Sequence, residues 1–504
     1  MLTPSRIRLF AVIAAGLLLP LAFAPAELFW LAPLSYAVLI WAWREAASPG
    51  EALRLGLAYG CASFGVGTYW TFIAVRIIGE APIAVAITLT VGLVVVLALF
   101  VAAAGFVTHR WLGTRSALAM MAVVPAVWTF AEWLRGWAFT GFGWLAPGYS
   151  QTDSWLMGYA PIVGIHGMTL AVLVSSGALV TLAVGSAAGR RAAIVVLVAV
   201  WGAGALLAGH QWTAPEDKTL DVALLQGNVA QTMKWRPEQL QGTIEIYDRL
   251  MLQTAGSDLI IWPEAAIPTL YEYMGKYLAS VRAWAERQHA LVMLGIMHRD
   301  PNADPSSDTF QNVLVALTDP PQIYVKRHLV PFGEYFPVPA FVRNWMRYMN
   351  LPTSDAVPGA ADQPPVAALG ERFAVTICYE DVFGSEQLHY LPAATLLVNV
   401  SNDAWFGDSI APHQHLQISQ VRAAEAGRYL LRSTNTGITA VVDPQGRVVA
   451  TLPQFNAGAL RYSVRGFTGS TPYARWGNYP IVILVLVIAL AQLATTKFTM
   501  RART

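Results

Sequence analysis

The run Ala374-Val375-Thr376-Ile377-Cys378-Tyr379-Glu380-Asp381 passes from strand-forming residues to a thiol and two carboxylates with no turn between them. The same change of character recurs along the chain. Residues 222–225 lead into Gln226-Gly227-Asn228, residues 259–262 into Pro263-Glu264, and residues 396–400 into Ser401-Asn402-Asp403. Short apolar runs rich in β-branched side chains read as buried strands. Further strands are expected at 292–296, 313–317 and 438–442, with stretches of helical period at 237–254, 276–289 and 413–432. Their alternation predicts an α/β layer fold over residues 220–465. Open α/β sheets place their chemistry at strand carboxyl ends, so the polar residues following these strands are the first candidates for a site. Residues 300–308 and 351–365, rich in Pro, Asp and Ala, read as surface loops.

The rest of the chain belongs to a different solvent. The 504 residues are 55% hydrophobic and 13% charged, with a mean hydropathy of +0.46, against about 25% charged for soluble domains. A bilayer core needs about 20 apolar residues as helix, because lipid offers the backbone no hydrogen-bonding partner. Eight candidate spans are expected, near 9–25, 28–43, 54–75, 83–108, 116–134, 157–186, 192–209 and 479–496. The layout is then a membrane domain of seven helices (1–209), a linker (210–219), the α/β domain (220–465) and a return segment with the eighth helix and a tail (466–504). Arg6 and Arg8 before the first apolar run also fit a signal peptide, but the spans that follow at once favour an uncleaved helix.

Orientation follows from the basic residues. An inside N-terminus puts Arg6, Arg8, Arg44, Arg54, Arg110, Arg115, Arg190, Arg191, Lys497, Arg501 and Arg503 on the cytoplasmic face, leaving Arg76, Arg135 and Arg475 in short segments opposite. Seven spans then place the α/β domain outside the cytoplasm. A net charge of +2 with no basic run among aromatics excludes a nucleic-acid partner. Glu132, Arg135 and His166 are too few to line a transport pathway. Glu132 and Arg135 read as groups near a helix end, and His166 as a packing residue.

Of the two cysteines, Cys61 falls inside the third span and reads as a small packing residue, so no disulfide to Cys378 is expected. A single thiol in an exported domain is a candidate nucleophile, although a cysteine at a strand end is by itself as well read as a buried hydrophobe. A nucleophilic thiol needs a base and a cation for the developing oxyanion. Glu264, after Pro263, supplies a candidate base, and Lys326, after Ile323-Tyr324-Val325, a candidate cation; an ordinary surface carboxylate and a snorkelling lysine are the plainer readings. His413 and His415 lack a third ligand at metal-binding spacing, so no metal is expected and helix-capping or surface roles fit better.

Trp262-Pro263-Glu264, Lys326 with His328-Leu329-Val330-Pro331-Phe332-Gly333-Glu334, and Cys378-Tyr379-Glu380-Asp381 resemble, in order, the Glu, Lys and Cys motifs of the nitrilase superfamily. With Leu21-Ala22-Phe23-Ala24-Pro25 near the start and Asn399-Val400-Ser401-Asn402-Asp403-Ala404-Trp405-Phe406-Gly407 after the cysteine, the whole chain resembles the apolipoprotein N-acyltransferase family. The resemblance implies a nitrilase-type αββα sandwich held on the periplasmic side of a bacterial inner membrane by a multi-pass helical domain. It implies a triad of Glu264, Lys326 and Cys378, with Glu334 and Glu380 in support. A phospholipid is the implied acyl donor and a diacylglyceryl-modified lipoprotein the acceptor, with a cysteine thioester between them and no cofactor. Trp235 and Tyr379 are candidates to shape an acyl pocket, and Trp405 and Phe406 to form a lid toward lipid; each is also readable as ordinary aromatic packing. Two other readings stay open: a membrane-tethered amidase using water as acceptor, betrayed by ammonia release without lipid, and a transporter or scaffold indifferent to Cys378→Ala.

Overall fold

Apolar runs that end in polar residues become strands of two sheets in the computed structural model. The structure describes residues 3–302, 309–335, 341, 343–344 and 356–501. Residues 303–308 and 351–355, in the two stretches expected as surface loops, lie outside the described residues. The chain divides into two units: a helical unit of Met1–Gln211, Asp408–Glu425 and Thr471–Thr504, and an α/β unit of Trp212–Gly407 and Ala426–Ser470.

In the α/β unit the strands are β1 (Thr213–Gln226), β2 (Leu259–Ile261), β3 (Ile267–Leu270), β4 (Leu291–Arg299), β5 (Phe310–Ala316), β6 (Gln322–Val325), β7 (Val366–Ala368), β8 (Glu371–Ile377), β9 (Leu396–Ser401), β10 (Leu430–Thr434), β11 (Thr439–Val442), β12 (Val448–Leu452) and β13 (Gly458–Gly469). Among the described residues they form a seven-stranded sheet ordered β13-β1-β2-β4-β5-β6, with β3 beside β4, and a six-stranded sheet ordered β12-β11-β10-β9-β8-β7. The centre of each sheet is parallel, β1-β2-β4 in one and β8-β9-β10 in the other. Parallel strands are covered on both faces, which is why residues 259–261 and 396–401 are buried throughout. Helices Leu240–Met251 and Gly275–Arg287 pack Tyr247, Leu250, Leu278 and Val281 onto the first sheet, in one core with Ile260, Val292 and Val313. The two sheets meet through polar links as well: Ser433 Oγ donates to the carbonyls of Leu225, at 2.8 Å, and Ile261, at 3.2 Å.

One expected helix is corrected. The helical stretch from 413 to 432 stops at Ala426, and Leu430–Thr434 is a strand. Gly427 has φ +63°, a conformation that ends a helix with little cost for glycine, and residues 430–434 are buried throughout between β9 and β11. Strands β3, β6, β7, β12 and β13 had no counterpart in the expectation. The first four are short, and β13 alternates outward polar residues along the edge of its sheet. β1 begins at Thr213, inside the stretch expected as a linker, and β13 runs to Gly469.

The helical unit has helices at each of the eight expected places, and they differ in length. Among the described residues five are long and apolar enough to cross a bilayer: Pro4–Ala22, Ile83–Leu112, Trp155–Val184, Ala187–Ala208 and Tyr479–Thr496. Pro49–Gly67 with Trp70–Ile78, bent by 54°, makes a sixth if taken as one. Leu31–Glu45 has 15 residues, and the 12 of Val124–Arg135 continue from the 5 of the π-helical turn Ala119–Val123, so both are at or below the shortest usual length of a crossing. The first of these is packed inside its unit: Tyr36, Leu39, Ile40 and Trp43 are buried, and Tyr36 and Trp43 lie 5.1 and 5.3 Å, ring to ring, from Trp128. Glu132 and Arg135 are buried and paired with each other, and Arg135 also donates to the carbonyls of Phe142 and Trp144. They act as structural groups at a helix end, as expected.

Helix Ala411–Ala426 carries an unusual load of buried polar side chains. Gln417 Oε1 accepts the N–H of Ala24 at 3.3 Å, and Glu425 Oε1 accepts the N–H of Ile165 at 2.8 Å, beside Gly164, whose φ of +62° breaks the helix there. His415, expected in a capping or surface role, is instead fully buried, its ring 5.5 Å from that of Trp144.

Candidate active site

Four strand ends of the α/β unit deliver the candidate groups. Glu264 follows β2, Lys326 follows β6, Cys378 follows β8 and Asn402 follows β9. Lys326 is 1% exposed, and its ammonium donates to Glu334 Oε1 at 2.8 Å and to Glu264 Oε1 at 3.3 Å. Asn312, on β5, donates its side-chain N–H to the same two oxygens, at 2.7 Å from Glu264 and 3.3 Å from Glu334. Glu264 Oε2 accepts the backbone N–H of Asn402 at 2.8 Å, and Glu334 Oε2 that of Val330 at 2.8 Å. Both oxygens of each carboxylate are therefore held. Burial works to lower the affinity of Lys326 for its proton, but Glu264 and Glu334 override it and drive the ammonium well above its usual range. Lys326 is a fixed cation.

Cys378 is buried at the turn from β8 into the 3₁₀ helix Cys378–Val382, with φ +54°. A non-glycine residue there costs of order 1–3 kcal/mol and persists only where its surroundings hold it. Glu380 does the holding. Its Oε2 accepts the N–H of Ile377 at 2.6 Å, its Oε1 accepts those of Arg327 at 2.8 Å and His328 at 3.2 Å, and the Tyr324 hydroxyl donates to both oxygens at 3.0 Å. One carboxylate thus staples the cysteine turn to the backbone that follows Lys326. Burial raises the Glu380 carboxyl despite the N–H groups of Arg327 and Ile377 that favour its charge.

Burial also raises the Cys378 thiol well above its usual range; Glu264 adds to the shift, while Lys326 opposes it. At rest this group is a thiol, and a thiol attacks only once a base has taken its proton. Gly295 makes room for that carboxylate: a Cβ on it would lie 2.5 Å from the Pro263 carbonyl and 2.7 Å from the Glu264 Cα.

The aromatic candidates fall in separate places. Tyr379 is buried against Phe383, at 5.1 Å, and His328, at 5.7 Å. Trp235 lines a cavity of about 300 Å³ with Leu270, Met297, Arg299 and Phe310. Trp405 and Phe406 are half-buried on the 3₁₀ helix Asp403–Phe406, whose first residue pairs with Arg432 at 2.9 Å. Asn312, Lys234 and Arg432 enter the candidate site or its support without having been singled out as site residues. Asn312 precedes an expected strand by one residue, and Arg432 lay hidden at the end of the helix drawn through it.

Residues 15–178 match the family described as apolipoprotein N-acyltransferase N-terminal domain, and residues 221–473 match carbon-nitrogen hydrolase. The apolipoprotein N-acyltransferase of Methylococcus capsulatus is 42% identical over 472 residues, covering 93% of this chain and 92% of its own. That of Nitrosomonas europaea is 41% identical over 489 residues, 96% of each chain. A carbon-nitrogen hydrolase from Helicobacter pylori G27, known as a crystal structure, gives a TM-score of 0.37 at 14% identity, over 49% of this chain and 88% of that one.

Proposed function

The chain belongs to the apolipoprotein N-acyltransferase family, whose reaction places an acyl group on a lipoprotein's N-terminal amine, and from that premise we propose that Glu264, Lys326 and Cys378 carry the transfer. Glu264 takes the thiol proton as Cys378 Sγ attacks the ester carbonyl of a membrane phospholipid. Lys326, with a backbone N–H, stabilises the tetrahedral oxyanion. The C–O bond breaks, the leaving alkoxide regains the proton from Glu264, and a lysophospholipid departs from a Cys378 thioester. The free amine of a diacylglyceryl-cysteine then attacks the thioester, Glu264 takes a proton from it, and C–S cleavage returns the thiol and an amide. An α-amine with a pKa of about 7.7–8.0 is partly neutral at such a site. The observation that carries this reading is the buried Glu264–Lys326–Glu334 cluster, in which a permanent cation and an oriented carboxylate stand beside a protonated thiol. Glu334 holds Lys326, Glu380 positions Cys378, Trp235 and Tyr379 shape the acyl site, and Trp405 and Phe406 form a lid that keeps water from the thioester.

The same reading has about eight crossings and a four-layer αββα sandwich, with the α/β unit on the periplasmic side of a bacterial inner membrane. Five of the six long or bent spans precede residue 212, and counting the two short helices makes seven. Either number is odd, so an inside N-terminus supports an exported α/β unit. Both lipid substrates are anchored by chains whose extraction costs about 0.8 kcal/mol per CH₂, which requires the site to work at the bilayer surface.

The test is the intact mass of detergent-purified enzyme mixed with phospholipid, then chased with a diacylglyceryl lipopeptide, with Cys378→Ala as control. An acyl-sized adduct on Cys378 that disappears as the lipopeptide gains the same mass is the expected result. A folded enzyme with no adduct and no lipopeptide gain, but releasing ammonia from amides, would make the site an amidase.

A further inference from the structure

Lys234, at the end of the short helix Gln231–Lys234, is 1% exposed. Among the described residues the acceptor for its ammonium is the main-chain carbonyl of Glu264, at 3.2 Å. A lysine ammonium has three N–H groups and a strongly unfavourable transfer out of water, so one carbonyl is poor compensation. Burial, opposed by the charge on Glu264, brings its proton affinity down to about 8. A methionine of similar length would fill the space without that penalty.

Its surroundings give the charge a use. Glu264 and Glu334 share Lys326, so two carboxylates contact one cation. The other end of the same short helix holds the base from another side: the Asn402 amide donates to Gln231 Oε1 at 2.8 Å, and the Asn402 backbone N–H donates to Glu264 Oε2 at 2.8 Å. Residues 231–234 therefore touch the Glu264 segment directly through Lys234 and indirectly through Gln231.

We propose that Lys234 is a positioning residue for Glu264, pinning its main-chain carbonyl and supplying the second positive charge that lets Glu264 and Glu334 remain ionised together around Lys326. It touches neither substrate nor the thiol. The role rests on the assignment of Glu264 as the base, and it acts in both halves of the reaction because Glu264 does.

The test uses full-length enzyme carrying Lys234→Met, Lys234→Gln or Lys234→Arg. Two rates are followed against pH: acylation of Cys378 by phospholipid, and alkylation of Cys378 by iodoacetamide, which needs no acyl donor. Loss of the charge is expected to move the acid limb of both profiles up by about one pH unit, a roughly tenfold loss of rate on that limb. Lys234→Arg is expected to stay within about threefold of the wild type. Lys234→Met is expected to melt no lower than the wild type, since a buried charge has been exchanged for an apolar chain. The Gln variant, which keeps a donor for the carbonyl, carries the test if the Met variant does not fold. Unmoved acid limbs in a folded Met or Gln variant would overturn the proposal, as would a Lys234→Arg variant as impaired as Lys234→Met. A shifted alkylation profile in an enzyme that never acylates Cys378 from phospholipid would uphold the role of Lys234 and remove the acyl-transfer reading instead.

Discussion

Lys326 Nζ lies 2.8 Å from Glu334 Oε1, and the other oxygen of that carboxylate holds the N–H of Val330. The proposed oxyanion cation is thus aimed by a residue on its own loop, which is consistent with the base role proposed for Glu264.

Replacing Glu334 by Gln should slow thioester formation without abolishing it. A hydrogen bond to a charged group is worth about 1.5–3 kcal/mol, so a fall of about ten- to a hundredfold in single-turnover acylation of Cys378 is expected, with Glu264→Gln falling further. Equal losses in the two variants would show that Glu334 shares the base's role.

The raised Cys378 thiol has a signature in stability. Because the folded state binds this proton more tightly than the unfolded chain does, the contribution is complete below the ordinary value of 9.0 and is lost as pH rises above it. The difference in melting temperature between wild type and Cys378→Ala should stay constant up to about pH 9, beyond which the wild type should lose ground. A wild type that gains on the variant over that range would mean that the thiolate is favoured in the fold.

Gly295→Ala would drive a methyl group into the Pro263–Glu264 backbone, at 2.5 Å from a carbonyl oxygen. Displacing a reacting group by about 1 Å can cost a hundredfold in rate. The variant should fold, since β4 can accept alanine in its ladder, yet acylate Cys378 about a hundredfold more slowly. Normal acylation kinetics would show that the turn yields without moving the carboxylate.

Removing Glu380 should cost both order and rate. Glu380→Ala strips the acceptor from the N–H groups of Ile377, Arg327 and His328 and from the Tyr324 hydroxyl. Losing one partner of a buried charged network typically costs about 3–5 kcal/mol, so a marked fall in melting temperature is expected. Unlike Glu334→Gln, the variant should also alkylate faster with a bulky maleimide, as the cysteine turn loosens. An unchanged melting temperature would contradict the staple.

The lid reading of Trp405 and Phe406 predicts a change of partition. In the double alanine variant, thioester should be lost to water as free fatty acid in a larger share of turnovers, measured against acylated lipopeptide. Transfer without added hydrolysis would leave these rings as packing groups.

The strand ends were legible because a parallel strand buried on both faces reads as an unbroken apolar run, and the chemistry begins where that run stops. Glu264 and Cys378 were found in that way together with their motif spacing, Lys326 by its motif alone, and the structure brings Glu264, Lys326 and Glu334 into contact. What escaped was held by tertiary geometry. Arg432 lies on a strand whose burial leaves no periodic signal beside the preceding helix, and its partner Asp403 is 29 residues away. Lys234 reads as any lysine until its 30-residue-distant contact with the Glu264 carbonyl is seen. The span count was legible only in part for another reason: apolar composition marks 28–43 and 116–134 equally well as membrane crossings or as helices buried within a helical unit, and helix length alone does not separate the two.

Helix Ala411–Ala426 bears on how the protein can be handled. It lies between β9 and β10 in the chain, yet its buried Gln417 and Glu425 find their partners at Ala24 and Ile165. A soluble fragment cut at residue 212 would carry this segment without those partners, presenting amides, a guanidinium and a carboxylate to whatever replaced them. Excision of the α/β unit is therefore expected to yield aggregate rather than enzyme, and a minimal version needs a short loop joining Gly407 to Ala426 in place of the helix.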